Sequence, residues 1–549
     1  MSQITTLLTT GGTVAQVMDE GWPMIACAFG SLLAAIVVGA VAAYVAASLS
    51  KRIRKMQFDN VETFSMEEIG RFSLASLITR STNDVTQVQM AFAMGMQILI
   101  KAPVMAIWAI VKISDKDMSW TVATAVAVAV MMVTIGIIMV LVVPRFKMIQ
   151  KLTDNLNQIT GEGLSGVRVV RAYNAESYQE EKFEKANEGL TSTNLFVNRS
   201  LAVLFPIMTA IMSLLSLSIY MIGAILISAA AGVGERLTLF SDMIVFSSYA
   251  MQVVMAFMMM VFIFMILPRA TVAARRIEEV INTEPSITDG TKTSSPADRE
   301  GEIEFRNVSF KYPGAAESVL EDISFKAKKG ETIAFIGSTG SGKSTLINLV
   351  MRFYDVTGGQ VLVDGEDVRD YKLNALRRKI GYIPQKATIF SGTVYGNVNY
   401  GDTSEERTME DVKKAVGIAQ GTDFVEKMDG GYEGRIAEGG TNLSGGQKQR
   451  LSIARAICRK PEFYIFDDSF SALDYKTDRS LRDALKKETA GVTSLIVAQR
   501  IGTIMDADTI VVLDEGRIAG IGAHDDLLES SEVYREIAYS QLSEEELVR

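Results

Sequence analysis

The stretch FYIFDDSFSALD (463–474) is an apolar run that ends on two adjacent carboxylates, Asp467 and Asp468. Upstream, ETIAFIGSTGSGKST starts as a β-type apolar run and passes through glycines into a helical pattern. Gly337-x-x-x-x-Gly342-Lys343-Ser344 therefore sits in the strand, loop and helix context that a phosphate-binding loop requires. In Gly337, Ser338, Thr339, Gly340, Ser341 and Gly342 the glycines let consecutive backbone N–H groups close around a phosphate. Lys343 supplies charge, and the hydroxyls of Ser344 and Thr345 stand at a helix N-terminus, where anions and their cations are favoured. The loop predicts binding of a nucleoside triphosphate. Further on, TNLSGGQKQRLSIARAI (441–457) places Leu443, Ser444, Gly445, Gly446 and Gln447 directly before a helical pattern, which makes a second anion cradle. One nucleotide does not need two cradles from one chain. The economical reading is that two chains face each other, each loop closing on the nucleotide held by the other.

The order of these features is informative: Tyr312 in FKYPG, the phosphate loop, Gln385 in YIPQKATIFSGTV, LSGGQ, Asp467, the SALD that ends at Asp474, and LIVAQR. Across 301–549 this order resembles the ATPase domain of ABC transporters. The resemblance implies ATP as the nucleotide and Mg²⁺ held by Ser344, Gln385 and Asp467, with Tyr312 stacked on the adenine and Gln385 sensing the γ-phosphate. It also implies that Glu438, just before LSGGQ, links ATPase closure to the membrane loops. Two positions depart from the family pattern. The usual general base at position 468 is Glu, and Asp468 is one methylene shorter; at a geometric tolerance of about 1 Å that loss costs on the order of 10²-fold. The switch position, usually His, is Gln499, and the single histidine of the chain is His524. Glutamine hydrogen-bonds a phosphate oxygen but cannot become a cation near neutral pH. Two weakened positions, Asp468 and Gln499, beside an intact LSGGQ resemble the degenerate half of a heterodimeric exporter: this chain's own site is impaired, while its Ser444, Gly445 and Gly446 complete a competent site on a partner.

The elements that must carry these residues divide the chain in two. Its 549 residues are 48% hydrophobic with a formal charge of −9, too apolar for one uniform soluble fold yet with an ordinary share of charge. Apolar stretches near 23–49, 90–113, 120–143, 201–230 and 240–267 each approach or exceed the roughly 20 residues that a spanning helix needs. The long polar segments 50–88 and 144–200 hold the basic residues, among them Lys51, Arg52, Arg54, Lys55, Arg71, Arg80, Arg145, Lys147, Lys151, Arg168 and Arg171, whereas Met1 to Trp22 has no Lys or Arg. The positive-inside bias makes those segments cytoplasmic and, with five crossings, places the soluble half inside. The N-terminus lacks a basic region followed by a cleavage site, and early arginines, so a signal or transit peptide is not expected. The segment 282–302, rich in Thr, Ser, Pro, Asp and Gly, reads as a linker. The expected domains are a membrane domain at 1–281, a linker at 282–300 and an α/β P-loop ATPase at 301–549. Cys27 and Cys458, one in each half, imply no disulfide framework.

The membrane half in turn resembles that of ABC exporters fused to their ATPase, in LASLITRSTNDVTQVQ (74–89) after a first cytoplasmic loop and GLSGVRVVRAYNAESYQEEKF (163–183) in a second. In that family short helices of these loops dock on the ATPase domains. The family has six spans per half, and the polar start resembles the external loop after the first; a gene start upstream of Met1, or a shortened half-transporter, is expected. The methionines of the last span (Met251, Met255, Met258, Met259, Met260 and Met265) suit either adaptable contacts to apolar ligands or lipid-facing packing. Lys101, next to Pro103 within a span, is a functional candidate or a snorkelling cation. The expectation is an ATP-driven exporter of hydrophobic or amphipathic compounds in a bacterial inner membrane. It would pair with a second half-transporter chain and contact membrane lipid, and no nucleic acid is expected. A homodimeric exporter, an importer on the same fold and a regulated, non-pumping membrane protein that binds ATP are the alternatives.

Overall fold

The computed structural model describes residues 4, 7, 12–114, 116–401, 407–471 and 474–542. The side chains of Lys147 and Met265, and Met1, Ala472 and Leu473 of the stretches singled out above, lie outside the described residues. The chain forms two compact units, one running to Asn60 and from Ala75 to Thr283, the other made of Val61–Leu74 with the residues from Glu284 onward.

The first unit is built from five long helices, α1 (Val14–Val61), α3 (Leu74–Ser114), α4 (Met118–Ser165), α6 (Glu176–Ala229) and α7 (Val233–Ile281). Each contains a stretch apolar and long enough to cross a membrane. These are the five spans expected from hydropathy. The polar segments expected as loops are mostly further turns of the same helices, broken by the short helices α2 (Met66–Phe72) and α5 (Val167–Ala172). In water-facing segments such turns are held by backbone bonds and neighbouring helices rather than by apolar composition, so hydropathy alone does not reveal them. Pro23, Pro103, Pro144 and Pro206 lie inside the long helices, where neighbouring helices can absorb the lost hydrogen bonds. The core of this unit gathers Trp120, Met131, Met208, Ile219, Phe246 and Val254 from three helices, with the Trp120 indole N–H donating to the Ile219 carbonyl at 3.1 Å. Lys116, between α3 and α4, pairs with Asp242 of α7 at 2.7 Å. At the opposite end, the first turns of α3 include a π-helical turn at Arg80–Asp84, and Arg80 pairs with Glu279 at 2.7 Å. Lys101 is exposed along α3.

The second unit holds two larger sheets. A four-stranded antiparallel sheet runs in the order β2 (Leu320–Ala327), β1 (Ile303–Phe310), β4 (Gly358–Val363), β5 (Glu366–Asp367). A six-stranded sheet runs β12 (Arg517–Gly522), β11 (Thr509–Asp514), β3 (Thr332–Gly337), β10 (Thr493–Val497), β9 (Phe463–Asp467), β6 (Ile380–Ile383). All its neighbours pair in parallel except β11 with β12. Buried on both faces, its strands read as near-continuous apolar runs: every residue of FYIFD in β9 is buried. Ligands in such sheets bind outside the carboxyl ends of the strands. Those ends here include Gly337, Ile383, Asp467 and Val497, and the phosphate loop, Gln385, Asp468 and Gln499 each follow one of them.

The segment 282–302 is not a free tether. Gly290 donates its N–H to the Tyr371 carbonyl at 3.0 Å, Lys292 exchanges backbone bonds with Asp370 and Lys372, and the Lys292 ammonium pairs with Glu366. Helix α2, in the same unit, opens on a capping box in which Ser65 and Glu68 satisfy each other's backbone N–H groups. The Glu68 carboxylate also accepts the Ser286 N–H at 3.1 Å, and the Ser65 and Ser286 hydroxyls meet at 2.8 Å.

Candidate nucleotide site

After β3 the chain turns through a loop whose conformation only glycine adopts without strain. Gly340 and Gly342 have φ of 89° and 98°, and a Cβ on Gly342 would stand 2.6 Å from Leu320. Helix α8 (Lys343–Val350) starts at once, with Gly342 as its cap and no side chain covering its first N–H groups. This is a concave run of amides at a positive helix end, fitted to a phosphate. The Lys343 ammonium donates to the carbonyls of Gly337 and Ser338 at 2.8 and 2.7 Å. Burial pulls its pKa below the ordinary lysine value, against the pull of Asp468 and Asp467. A cation curled on its own loop's carbonyls and partly stripped of water is ready to exchange those partners for phosphate oxygens.

The end of β9 supplies the acid side. Asp467 Oδ1 accepts the Ser344 hydroxyl at 2.8 Å, and the Tyr382 hydroxyl of β6 reaches Oδ2 at 3.5 Å. Asp468 lies in the left-handed region at φ 46°, with its N–H bonded to the Val497 carbonyl at 2.9 Å. That turn redirects its side chain across the strand ends. Both carboxyls are buried, Asp467 6% and Asp468 8% exposed, and burial is the main cause that raises the pKa of each. Asp468 Oδ2 accepts two amides at once, Gln385 Nε2 at 3.0 Å and Gln499 Nε2 at 2.8 Å. The three candidate catalytic residues therefore converge on one oxygen, from the ends of β6, β9 and β10.

Tyr312, at the end of β1, donates to or accepts from the Thr345 hydroxyl at 2.9 Å. Its ring meets Phe310 and Tyr354 edge-on at 4.9 and 5.2 Å, so the tyrosine is fixed beside the first turn of α8. Ser444 caps helix α9 (Gly445–Cys458) with Gln447 as its capping-box partner, and both Ser444 and Gly445 are exposed. The second cradle thus faces outward, and among the described residues it shares no hydrogen bond with the phosphate loop. Asp474 caps helix α10 (Tyr475–Glu488), accepting the Thr477 N–H at 3.0 Å. Glu438 is exposed. His524 is buried against the Tyr534 hydroxyl, at 2.7 Å from Nδ1.

Two neighbours of the site were not singled out from the sequence although both lie inside quoted motifs: Tyr382 opens YIPQKATIFSGTV, and Arg500, whose charge counters the rise in the Asp468 pKa, closes LIVAQR. The alternation of side chains along β6 is the signal that could have pointed to Tyr382.

The fold and site define a membrane protein with a fused P-loop ATPase. The ABC transporter model matches residues 320–471, and the ABC transporter transmembrane region model matches 3–263. An uncharacterized ABC transporter ATP-binding protein of Mycobacterium tuberculosis is 38% identical over 96% of this chain and 90% of its own length. An ATP-dependent lipid A-core flippase of Pseudomonas fluorescens is 32% identical over 90% and 80%. A solved bacterial Atm1-family ABC exporter with ATP bound superposes with a TM-score of 0.75, at 26% identity, over 95% of this chain and 90% of that one. The chain belongs to the ABC transporter family: it is an ATP-hydrolysing half-transporter of exporter type, with membrane and ATPase domains in one polypeptide.

Proposed function

We propose that this chain is the subunit of a heterodimeric exporter that retains ATP at an impaired site and lends its LSGGQ to the partner's competent one. The observation that carries the reading is the pair of neutral amides on Asp468 Oδ2. A carboxylate already one methylene short is tethered on both sides, and Gln499 offers no positive charge to developing phosphate charge. Residues 301–549 act as the ATPase and 1–281 as the transport domain.

The residues present fit ATP and Mg²⁺. The bare amides of 337–342 and the Lys343 ammonium suit phosphates, while the Ser344 hydroxyl and Asp467, 2.8 Å apart, are hard oxygen donors of the kind Mg²⁺ selects. Bound Mg²⁺ would supply charge neutralisation between the phosphates. Gln385, bonded to Asp468 at 3.0 Å, would join them in holding the ion. ATP between two ATPase domains favours their closure, and the cytoplasmic loops convert closure into the tilt of membrane helices. The apolar, methionine-rich membrane unit suits a hydrophobic or amphipathic cargo, and one relative is named for flipping a lipid. A bacterial inner membrane, with the ATPase in the cytoplasm, is the matching location.

The test is Mg²⁺-dependent ATPase of the purified chain in lipid, alone and mixed with the chain encoded beside it. Turnover only in the mixture supports the heterodimer, and robust turnover of the chain alone establishes the homodimer instead. Within the pair, Ser444→Arg abolishes ATPase, whereas Lys343→Ala reduces it only in part. Equal and complete loss in both variants would sink the division of labour.

A further inference from the structure

The loop carrying Gln499 is gripped from the far end of the chain. Helix α11 (Ile501–Ile504) follows it, and Arg500 gives that helix no side-chain cap. The missing cap is supplied 40 residues later: Gln541 Oε1 accepts the Ile501 N–H at 2.8 Å, and Gln541 Nε2 donates to the Gln499 carbonyl at 2.8 Å. One planar amide thus bonds residues i and i+2 of the loop, which fixes its direction as well as its position. Gln541 is itself held in place. It follows α13 (Glu532–Tyr539), with its N–H on the Ala538 carbonyl at 3.1 Å, and α13 buries Tyr534 and Ala538 in a cluster with Ala498, Ile501 and Ile504. His524, at the start of α12 (His524–Ser530), bonds the Tyr534 hydroxyl. On the other side, the Ala498 N–H is tied to the Phe335 carbonyl of β3 at 3.1 Å.

We propose that Gln541 is a positioning residue for the switch loop: it sets the reach of Gln499 toward Asp468 and the γ-phosphate, and so tunes how long ATP stays on this chain. The loop is also anchored by the Ala498 N–H and by the Arg482 guanidinium on the Gly502 carbonyl at 2.8 Å, so the two-point grip fixes the backbone of Gln499 and Arg500, and of these two it is Gln499 whose side chain bonds Asp468. The proposal goes beyond the division of labour above and holds equally for a homodimer.

The experiment compares the intact transporter in lipid with Gln541→Leu, Gln499→Ala and the double variant. Radiolabelled ATP with Mg²⁺ is the probe, and the bound component lost in Lys343→Ala reports this chain's site. Hydrogen exchange of the peptide covering 499–504 is followed without nucleotide. Gln541→Leu is expected to speed exchange of the Ile501 amide and to shorten ATP residence on the order of 5-fold, as the loss of about one net hydrogen bond does. In the Gln499→Ala background the same change is expected to have no further effect on residence, and Gln541→Glu, which keeps the acceptor and loses the donor, to fall between. Equal shortening in both backgrounds, faster exchange across the whole domain, or unchanged residence would each overturn the proposal.

Discussion

At the residue scale, the site turns on how one buried carboxylate is charged. Asp468 sits where burial raises its pKa above the ordinary aspartate value of 3.8. The folded domain therefore favours the protonated acid. Relative to the unfolded chain, this group's stability contribution is fully present at low pH and is lost as pH rises through the raised pKa. Near neutral pH its charge opposes folding, offset in part by the Gln385 and Gln499 amides. Asp468→Asn is accordingly expected to raise the melting temperature near neutral pH, with the gain vanishing in acid. Any remaining hydrolysis at this chain's site should fall at least about 10²-fold, the usual scale of a general base. A thermal melt at two pH values, beside single-turnover hydrolysis, reads both effects. A neutral-pH melting temperature below that of the parent chain would mean that the two amides outweigh the burial. The complementary change, Asp468→Glu, lengthens the carboxylate by one methylene; on the proposed impairment it should raise turnover at this site, and no gain would move the proposed impairment to Gln499.

At the scale of elements, the sequence was most legible where chemistry forces a conformation. The phosphate loop, the strand ending at Asp467 and the capped helix after Ser444 lie where their glycines, apolar runs and hydroxyls put them, because each depends on residues a few positions apart. Less was legible where the partners are distant in sequence. Nothing in 282–302 announces that Gly290 and Lys292 lie along 370–372, nor in QLS near the C-terminus that Gln541 caps α11. Periodicity carries no information about contacts made across tens of residues. Hydropathy also located the five spans while saying little about how far each helix continues past them. The join between α2 and the linker is a further case, and it is testable. Burial alone pushes the Glu68 carboxyl up, but the hydrogen bonds from Ser65 and Ser286 outweigh it and hold the pKa below the ordinary 4.5. A depressed carboxyl stabilises above its unfolded pKa and loses that stabilisation as pH falls through the folded one. Glu68→Ala should therefore cost about 0.5–2 kcal/mol near neutral pH, the scale of a lost helix cap, and progressively less in acid below about 4.5. Urea unfolding followed by probes in the second unit measures it; a cost independent of pH would mean that packing, not the charged cap, is what the substitution removes.

At the scale of the whole molecule, helix length and charge together decide which side of the membrane the ATPase occupies. Helix α1 has 48 residues, ~70 Å at the usual rise, against a hydrocarbon core of about 30 Å. More than half of it projects beyond the apolar layer, and its basic cluster Lys51, Arg52, Arg54 and Lys55 follows the apolar stretch directly. The same holds for α4, where Arg145 and Lys151 follow the apolar stretch on the way to α5. The turns between α3 and α4 and between α6 and α7 are short by comparison. The positive-inside bias predicts that the helix ends around α5 are cytoplasmic and that the start of α7 faces outward. Cysteine labelling tests this directly, because Tyr173 and Val233 are 80% and 76% exposed and Cys458 is buried. In a Cys27→Ala background, Val233→Cys should react with a membrane-impermeant maleimide in intact cells, and Tyr173→Cys only after permeabilisation. The reverse pattern would place the phosphate loop outside, beyond reach of cellular ATP. The proposed coupling of export to Asp468, Gln499 and a partner's site would then fail, so this one orientation underlies every residue-level role proposed for the chain.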